Sequence, residues 1–233
     1  RDLAAKADIV VENFRPGTLE KWGLGFDTLS VKFPRLVHCR VSGFGADGPN
    51  GGLPGYDAAI QAMVGLMSIN GDADRPGVRL GVPVVDIATG LNAALGILLA
   101  LQERAKSGKG QFVDISMTDG LVSWLCYHAA DYLFAGVEPR GGVQRFLGGA
   151  PCYNVYRCAD NLHLTLGIIE EHFWHRFCDL IGREDFKSDQ WPVGDAAERQ
   201  FACLREAFAA GSRDHWVQTL VAADLPAGPV NTM

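Results

Sequence analysis

Three short apolar runs, ADIVV (Ala7–Val11), LVHCRVSGFG (Leu36–Gly45) and QFVDIS (Gln111–Ser116), are separated by segments of helical periodicity. That alternation constrains the fold more than any other feature. Strands joined through helices cannot close as tight hairpins, and right-handed crossovers lay them side by side in a parallel sheet. The helical segments fall at Thr18–Trp22, where Thr18 is a candidate cap, at Asp27–Phe33, stopped by Pro34, at Tyr56–Ile69, from about Ile87 to Lys106, and from about Thr118 to Phe134. The fourth is apolar on nearly every face, which predicts burial, and Ser107-Gly108-Lys109-Gly110 ends it. The fold class read from this pattern is α/β, a doubly wound parallel sheet.

The pattern changes after residue 135. Gly136–Gly149 is rich in Gly and Arg and reads as a linker. Two strand-like runs follow, Tyr153–Cys158 and Leu162–Leu166, joined by Ala159-Asp160-Asn161 as a hairpin. Helical segments at Glu170–Ile181, Ala196–Ala209 and Arg213–Ala223 complete a small α+β unit. The division is residues 1–135 for a large α/β domain, 136–150 for a linker, 151–225 for a small α+β domain, and 226–233 for an extended segment leaving it. The chain opens on Arg1-Asp2-Leu3 and closes in an extended stretch, so it reads as an internal piece of a longer protein.

Composition narrows the function classes. With 48% hydrophobic and 21% charged residues, the chain has enough apolar surface to fold. A net charge of -6 argues against a nucleic-acid or anionic-membrane partner. The six cysteines form no CxxC and no zinc-ligand spacing, the pattern of reduced thiols in a cytoplasmic protein. The charged start lacks the apolar core of a signal peptide, and the most apolar stretch, Leu91–Leu101, is too short to span a bilayer.

Asp86 is the most informative single residue, standing between Val82–Val85 and the apolar helix. It reads as an N-cap, or as a carboxylate held ionised by the helix dipole and able to act as a nucleophile; the two do not exclude each other. Glu12-Asn13-Phe14-Arg15-Pro16-Gly17 follows a strand end, where doubly wound sheets bind ligands. It is either a turn with a solvated arginine or a loop offering a phosphate fork and a stacking face. Gly43-x-Gly45-x-x-Gly48 matches a dinucleotide fingerprint in letters, but no long helix opens there, and Ser107–Gly110 lacks the residues of a P-loop. His172 and His175 lie one turn apart, as a metal pair or an exposed helix face. No GxSxG elbow is present.

Six blocks in order, ADIVVENFRPGTLEKWGL, VSGFGADGP, PGYDAAIQAMVGLMSINGD, GVPVVDIATGLNAALGILLAL, SGKGQFVDISM and GGAPCYNVYRCADN, run from Ala7 to Asn161. Together they resemble the family III CoA-transferases, which include formyl-CoA transferase, carnitine CoA-transferase and α-methylacyl-CoA racemase. The resemblance implies an acyl-CoA:carboxylate CoA-transferase in which Asp86 attacks the thioester, forms a mixed anhydride and releases CoA thiolate. The acceptor carboxylate then takes the activated acyl group, or CoA returns to it. It places CoA contacts at Asn13, Phe14, Arg15 and Lys21, and at Tyr56 and Asp57. It implies no metal and no resident cofactor, coenzyme A and acyl-CoA entering as substrates, with a carboxylic acid as acceptor.

The racemase branch carries a histidine where this chain has Tyr56. A phenol of pKa about 10 is a poor near-neutral acid–base group, which favours transfer over racemisation. Gly148–Asn161 and Glu170 stand closer to the racemase branch, and an inactive CoA-binding fragment is a third reading. The resemblance also implies an interlocked homodimer, a large CoA-binding domain built from both chain ends, and a return to it beginning at 226–233.

Overall fold

The computed structural model describes residues 2–75 and 77–233. They fall into two compact units, Arg1–Ser68 with Gly77–Glu138, and Ile69–Pro76 with Pro139–Met233.

The first unit is built on a parallel sheet of β1 (Ile9–Glu12), β2 (Val37–Ser42) and β3 (Phe112–Ser116) in the order β1-β2-β3. Val11 pairs with Cys39, and Cys39 with Val113. α1 (Thr18–Lys21) and α2 (Phe26–Lys32) link β1 to β2; α3 (Asp57–Met63), α4 (Leu66–Ile69) and α5 (Val84–Ser107) lie between β2 and β3. α6 (Met117–Trp124) and α7 (Cys126–Ala135) follow. The α/β class and parallel sheet are as the alternation predicts. Among the described residues the sheet's three strands run in sequential order.

The helices differ from expectation in informative ways. The segment Tyr56–Ile69 is two helices, broken where Gly65 takes φ +87°. Thr18 starts α1 but makes no capping bond. α5 begins three residues earlier than predicted and ends, as predicted, at Gly108, whose φ of +75° closes the helix. Its burial is one-sided. Val85, Ala88, Thr89, Ala93 and Ala100 are buried, whereas Leu91, Leu95, Leu98 and Leu99 are exposed. A Cβ on Gly96 would stand 2.8 Å from the Val113 side chain, so small residues bring this helix down onto the sheet and the leucines point away. At 24 residues, α5 is long and apolar enough by length and composition to cross a membrane, contrary to the reading of Leu91–Leu101; its place is that of a crossover helix packed on β2 and β3.

The second unit contains an antiparallel sheet in the order β4 (Tyr153–Arg157), β5 (His163–Gly167), β6 (Ala227–Pro229). Asn161, at φ 63°, turns the predicted hairpin, and Asp160 ties it by accepting the Leu162 and Arg213 N–H groups. α8 (Glu171–Leu180), α9 (Asp195–Ala209) and α10 (Arg213–Ala222) complete the unit. Trp174, Phe177, Leu204, Phe208 and Leu220 are fully buried in its core with Leu164 and Leu166. Residues 227–229 pair with β5 as the third strand of this sheet.

Candidate active site

The carboxyl ends of β1 and β2 run directly into the two loops that build the principal cleft. Its volume is about 940 Å³. After β1, Glu12 folds back and Oε2 accepts the Phe14 N–H at 2.8 Å, turning the chain so that Asn13, Phe14 and Arg15 face the cleft. Arg15 Nη2 donates to the Gly52 carbonyl at 3.2 Å, tying this loop to the one after β2. Phe14 meets Trp22 edge to face at 5.4 Å.

After β2, the chain returns so closely that a Cβ on Gly43 would stand 2.6 Å from Gly55 Cα. Only two glycines permit that approach, and it delivers Tyr56 and Asp57 to the cleft at the start of α3. Asp57 then reaches across to α5. Its Oδ2 accepts the N–H of Val85 at 2.8 Å and of Asp86 at 3.3 Å, and its Oδ1 accepts Gln61 Nε2 at 2.6 Å. Gln61, fully buried, accepts the Leu80 N–H at 3.1 Å through its own oxygen.

Asp86 is therefore not the N-cap. It lies in the first turn of α5, and the capping carboxylate comes from Asp57. Its own carboxylate faces the cleft, and Thr89 below it is satisfied by donating to the Val85 carbonyl at 2.7 Å. The dipole favours an ionised Asp86, but loss of water pushes its carboxyl above the usual range, and the charge of Asp57 adds to this. Burial likewise raises Glu12, against the opposing pull of the Phe14 N–H and the nearby Arg40.

Six of the seven residues singled out from the sequence line this one cleft: Asn13, Phe14, Arg15, Tyr56, Asp57 and Asp86. Lys21, exposed at the end of α1, does not. The sequence reading missed Gln61 and the capping role of Asp57. The i,i+4 spacing of Asp57 and Gln61 was the available signal. Among the described residues no group of three His, Cys, Asp or Glu is placed to hold a metal ion. His175 instead lies 3.8 Å from Glu171, and its Nε2 lies 3.3 Å from the Lys187 carbonyl. All six cysteines are free thiols, four of them buried.

A carboxylate at the mouth of a strand-end cleft, beside a loop with an arginine fork and an aromatic face, suits nucleophilic attack on an activated acyl group carried by a phosphate-bearing ligand. Known proteins resemble this chain along its whole length. The family model of CoA-transferase family III matches residues 1–233. An acyl-CoA transferase of Fusarium pseudograminearum is 35% identical over all of this chain and 52% of its own length. The human α-methylacyl-CoA racemase is 34% identical over all of this chain and 61% of its own length. The crystal structure of a CAIB/BAIF family protein from Brucella suis superposes with a TM-score of 0.82 at 32% identity, covering 99% of this chain and 62% of that one. The chain thus spans little more than half the length of these proteins.

Proposed function

Because the chain belongs to CoA-transferase family III, we propose that its protein moves coenzyme A from an acyl-CoA donor to a free carboxylic acid, with Asp86 as the nucleophile. The observation that carries this reading is the single cleft in which Asp86 meets the Asn13–Arg15 loop and Tyr56. Relatives named as CoA-transferases, such as the human succinyl-CoA:glutarate enzyme at 31% identity, support it.

The chemistry balances without an outside reactant. An Asp86 oxygen attacks the thioester carbonyl carbon, the carbon–sulfur bond breaks, and CoA leaves as a thiolate, whose conjugate thiol has a pKa of about 8.5. The product is an acyl–aspartyl anhydride. The thiolate attacks the Asp86 carbonyl carbon and frees the first acid. The acceptor carboxylate displaces the thiolate from Asp86, and the thiolate finally attacks the acceptor's carbonyl carbon, restoring the aspartate. Asn13, Phe14 and Arg15 hold CoA, Arg15 by its fork to phosphate. Tyr56 contacts the CoA side of the cleft, and Lys21, outside it, reaches the distal phosphates. Asp57 acts there through the helix start it caps.

The protein is read as a cytoplasmic, interlocked homodimer. The exposed leucines of α5 support the dimer, since an apolar face of this size calls for a cover. The small domain and the return of the chain to the large domain, beginning at 226–233, belong to the same proposal.

The test is transfer from an acyl-CoA to a free acid. Asp86→Ala abolishes it, and hydroxylamine added during turnover marks Asp86 in a peptide map. Full activity in Asp86→Ala sinks the mechanism. A racemase-like enzyme is the second reading, favoured by the human racemase among the relatives. Deuterium exchange at the acyl Cα without CoA transfer would establish it. Tight CoA binding with neither activity would leave a CoA-binding protein.

A further inference from the structure

Among the described residues nothing packs against Gly90 closely enough to require a glycine. It sits in the middle of the first half of α5, where glycine is the poorest helix former short of proline. A Cβ built on it meets nothing within 4 Å. Gly96 on the same helix differs, because there a Cβ would press on Val113. Gly90 lines the cleft exactly one i,i+4 step from Asp86. Helical side chains lean toward the N-terminus, so any side chain at 90 would lie over the turn that carries Asp86. Its absence leaves the space beside the carboxylate open.

The cleft wall continues along α5 from Gly90 through Ala94 to Ile97. None of these side chains can donate or accept a hydrogen bond. A pantetheine arm laid there would strip water from two amide groups and find no partner, whereas an alkyl chain would lose only unfavourable contact with water. Among the described residues that line the cleft, Arg15 is the one cation, and it is turned toward Gly52. A negatively charged acyl end therefore has no counter-charge along α5.

We propose that Gly90 determines acyl specificity: the room it leaves beside Asp86 admits the acyl group, and the Gly90–Ala94–Ile97 wall takes an uncharged alkyl chain. This rests on the reading of Asp86 as acyl acceptor.

The experiment measures binding of CoA, acetyl-CoA, pentanoyl-CoA and glutaryl-CoA by calorimetry, with transfer rates alongside. Wild type is expected to bind pentanoyl-CoA at least about 10-fold tighter than glutaryl-CoA, which has the same chain length and a terminal charge. Gly90→Leu should weaken pentanoyl-CoA by at least about 10- to 200-fold, the range for a mismatch of a single methylene in a hydrophobic pocket, and leave CoA unchanged. Gly90→Ala, which cannot fail for want of room in the fold, should raise Tm by about 2–4 °C and weaken pentanoyl-CoA by a smaller factor. Equal losses for CoA and pentanoyl-CoA would put the pantetheine arm on this wall and overturn the assignment. So would tighter binding of glutaryl-CoA, unchanged pentanoyl-CoA binding in Gly90→Leu, or a lower Tm in Gly90→Ala. Retained transfer in Asp86→Ala removes the nucleophile reading instead, whatever the Gly90 series gives.

Discussion

Asp57 caps the helix that carries Asp86: Asp57 Oδ2 accepts the Val85 N–H at 2.8 Å, placing one carboxylate at the start of α5 and the other in its first turn. Two acids at one helix start share a single dipole but serve different ends. One closes orphan N–H groups from outside the helix. The other is left with its oxygens toward the cleft, in a geometry set by the first.

Asp57→Ala should therefore destabilise the fold by about 1 kcal/mol, the ordinary cost of a lost cap, read as a lower urea midpoint with unchanged slope. Asp57→Asn keeps an acceptor oxygen and should recover most of that loss. Transfer activity should fall in Asp57→Ala by more than the fraction unfolded accounts for, because the first turn of α5 loses its tie to α3. Equal stability in the alanine variant would show that water replaces the cap.

The raised pKa of Asp86 fixes a pH dependence. An acid whose pKa is higher folded than unfolded binds its proton more readily in the native state. Its contribution to stability is thus largest at low pH and is lost as pH climbs from the ordinary aspartate value, 3.8, through the raised native value. Asp86→Asn should lack this decline and be the more stable protein at neutral pH. Activity should run the opposite way, rising through the same window as the nucleophile ionises. Since the charge of Asp57 is the second cause of the shift, Asp57→Asn should move the acidic limb of the rate profile to lower pH. A limb that stays in place in Asp57→Asn would contradict the coupling.

The second unit has its own keystone. Trp174 is fully buried and donates from Nε1 to the Phe186 carbonyl at 2.8 Å. Trp174→Phe removes that donor, leaves the Phe186 carbonyl with the Asp189 N–H alone at 3.1 Å and opens a void. The expected cost is about 2–4 kcal/mol, seen in thermal unfolding followed by tryptophan-independent circular dichroism. A loss under about 1 kcal/mol would mean that the pocket collapses around phenylalanine.

Much of this was legible in the residues themselves. The three parallel strands, the stop at Gly108 and the Asn161 hairpin are local signals, each written in a few consecutive side chains. The cleft was legible because strand-end loops converge by topology, which is why Asn13–Arg15 and Tyr56 meet Asp86 despite their distance in sequence. What could not be read was long-range. Asp57 reaching Val85 spans 28 residues and depends on the Gly43–Gly55 contact, and neither is a periodic pattern. The burial of α5 was misjudged for a related reason: an all-apolar helix does not say which face the sheet takes, and here Gly96 and the alanines decide it. Strand order likewise follows from packing, not from the alternation that predicted a sheet.

Arg40, in the middle of β2, gives the last prediction. Its guanidinium is almost fully buried and forks onto Asp114 of β3, Nε to Oδ1 at 3.2 Å and Nη2 to Oδ2 at 2.9 Å. It also reaches Glu20 at 3.4 Å and lies 4.8 Å from the centre of the Phe112 ring. Arg40 thus joins β3, α1 and the ring of Phe112 from one position. Asp114 keeps about a third of its side chain in water, so Arg40→Ala removes a charge-assisted fork and buried packing and should cost about 1.5–3 kcal/mol. Arg40→Met, which fills the same space without charge, still leaves Asp114 unpaired and should remain destabilised. The double variant Arg40→Met with Asp114→Leu removes both charges and should recover most of the loss, because a well-packed apolar pair avoids the desolvation that the ion pair must overcome. The same change reaches the cleft. Arg40 holds the Glu12 carboxyl down more than Asp114 lifts it, so in the double variant the two losses partly offset and Glu12 should titrate slightly higher. Oε2 of a protonated Glu12 becomes a weaker acceptor for the Phe14 N–H, and the Asn13–Arg15 loop should bind CoA less tightly as pH falls. Calorimetric CoA affinity against pH, compared between wild type and the double variant, reads this directly. Superimposable profiles would mean that the β2 arginine has no electrical reach into the loop after β1.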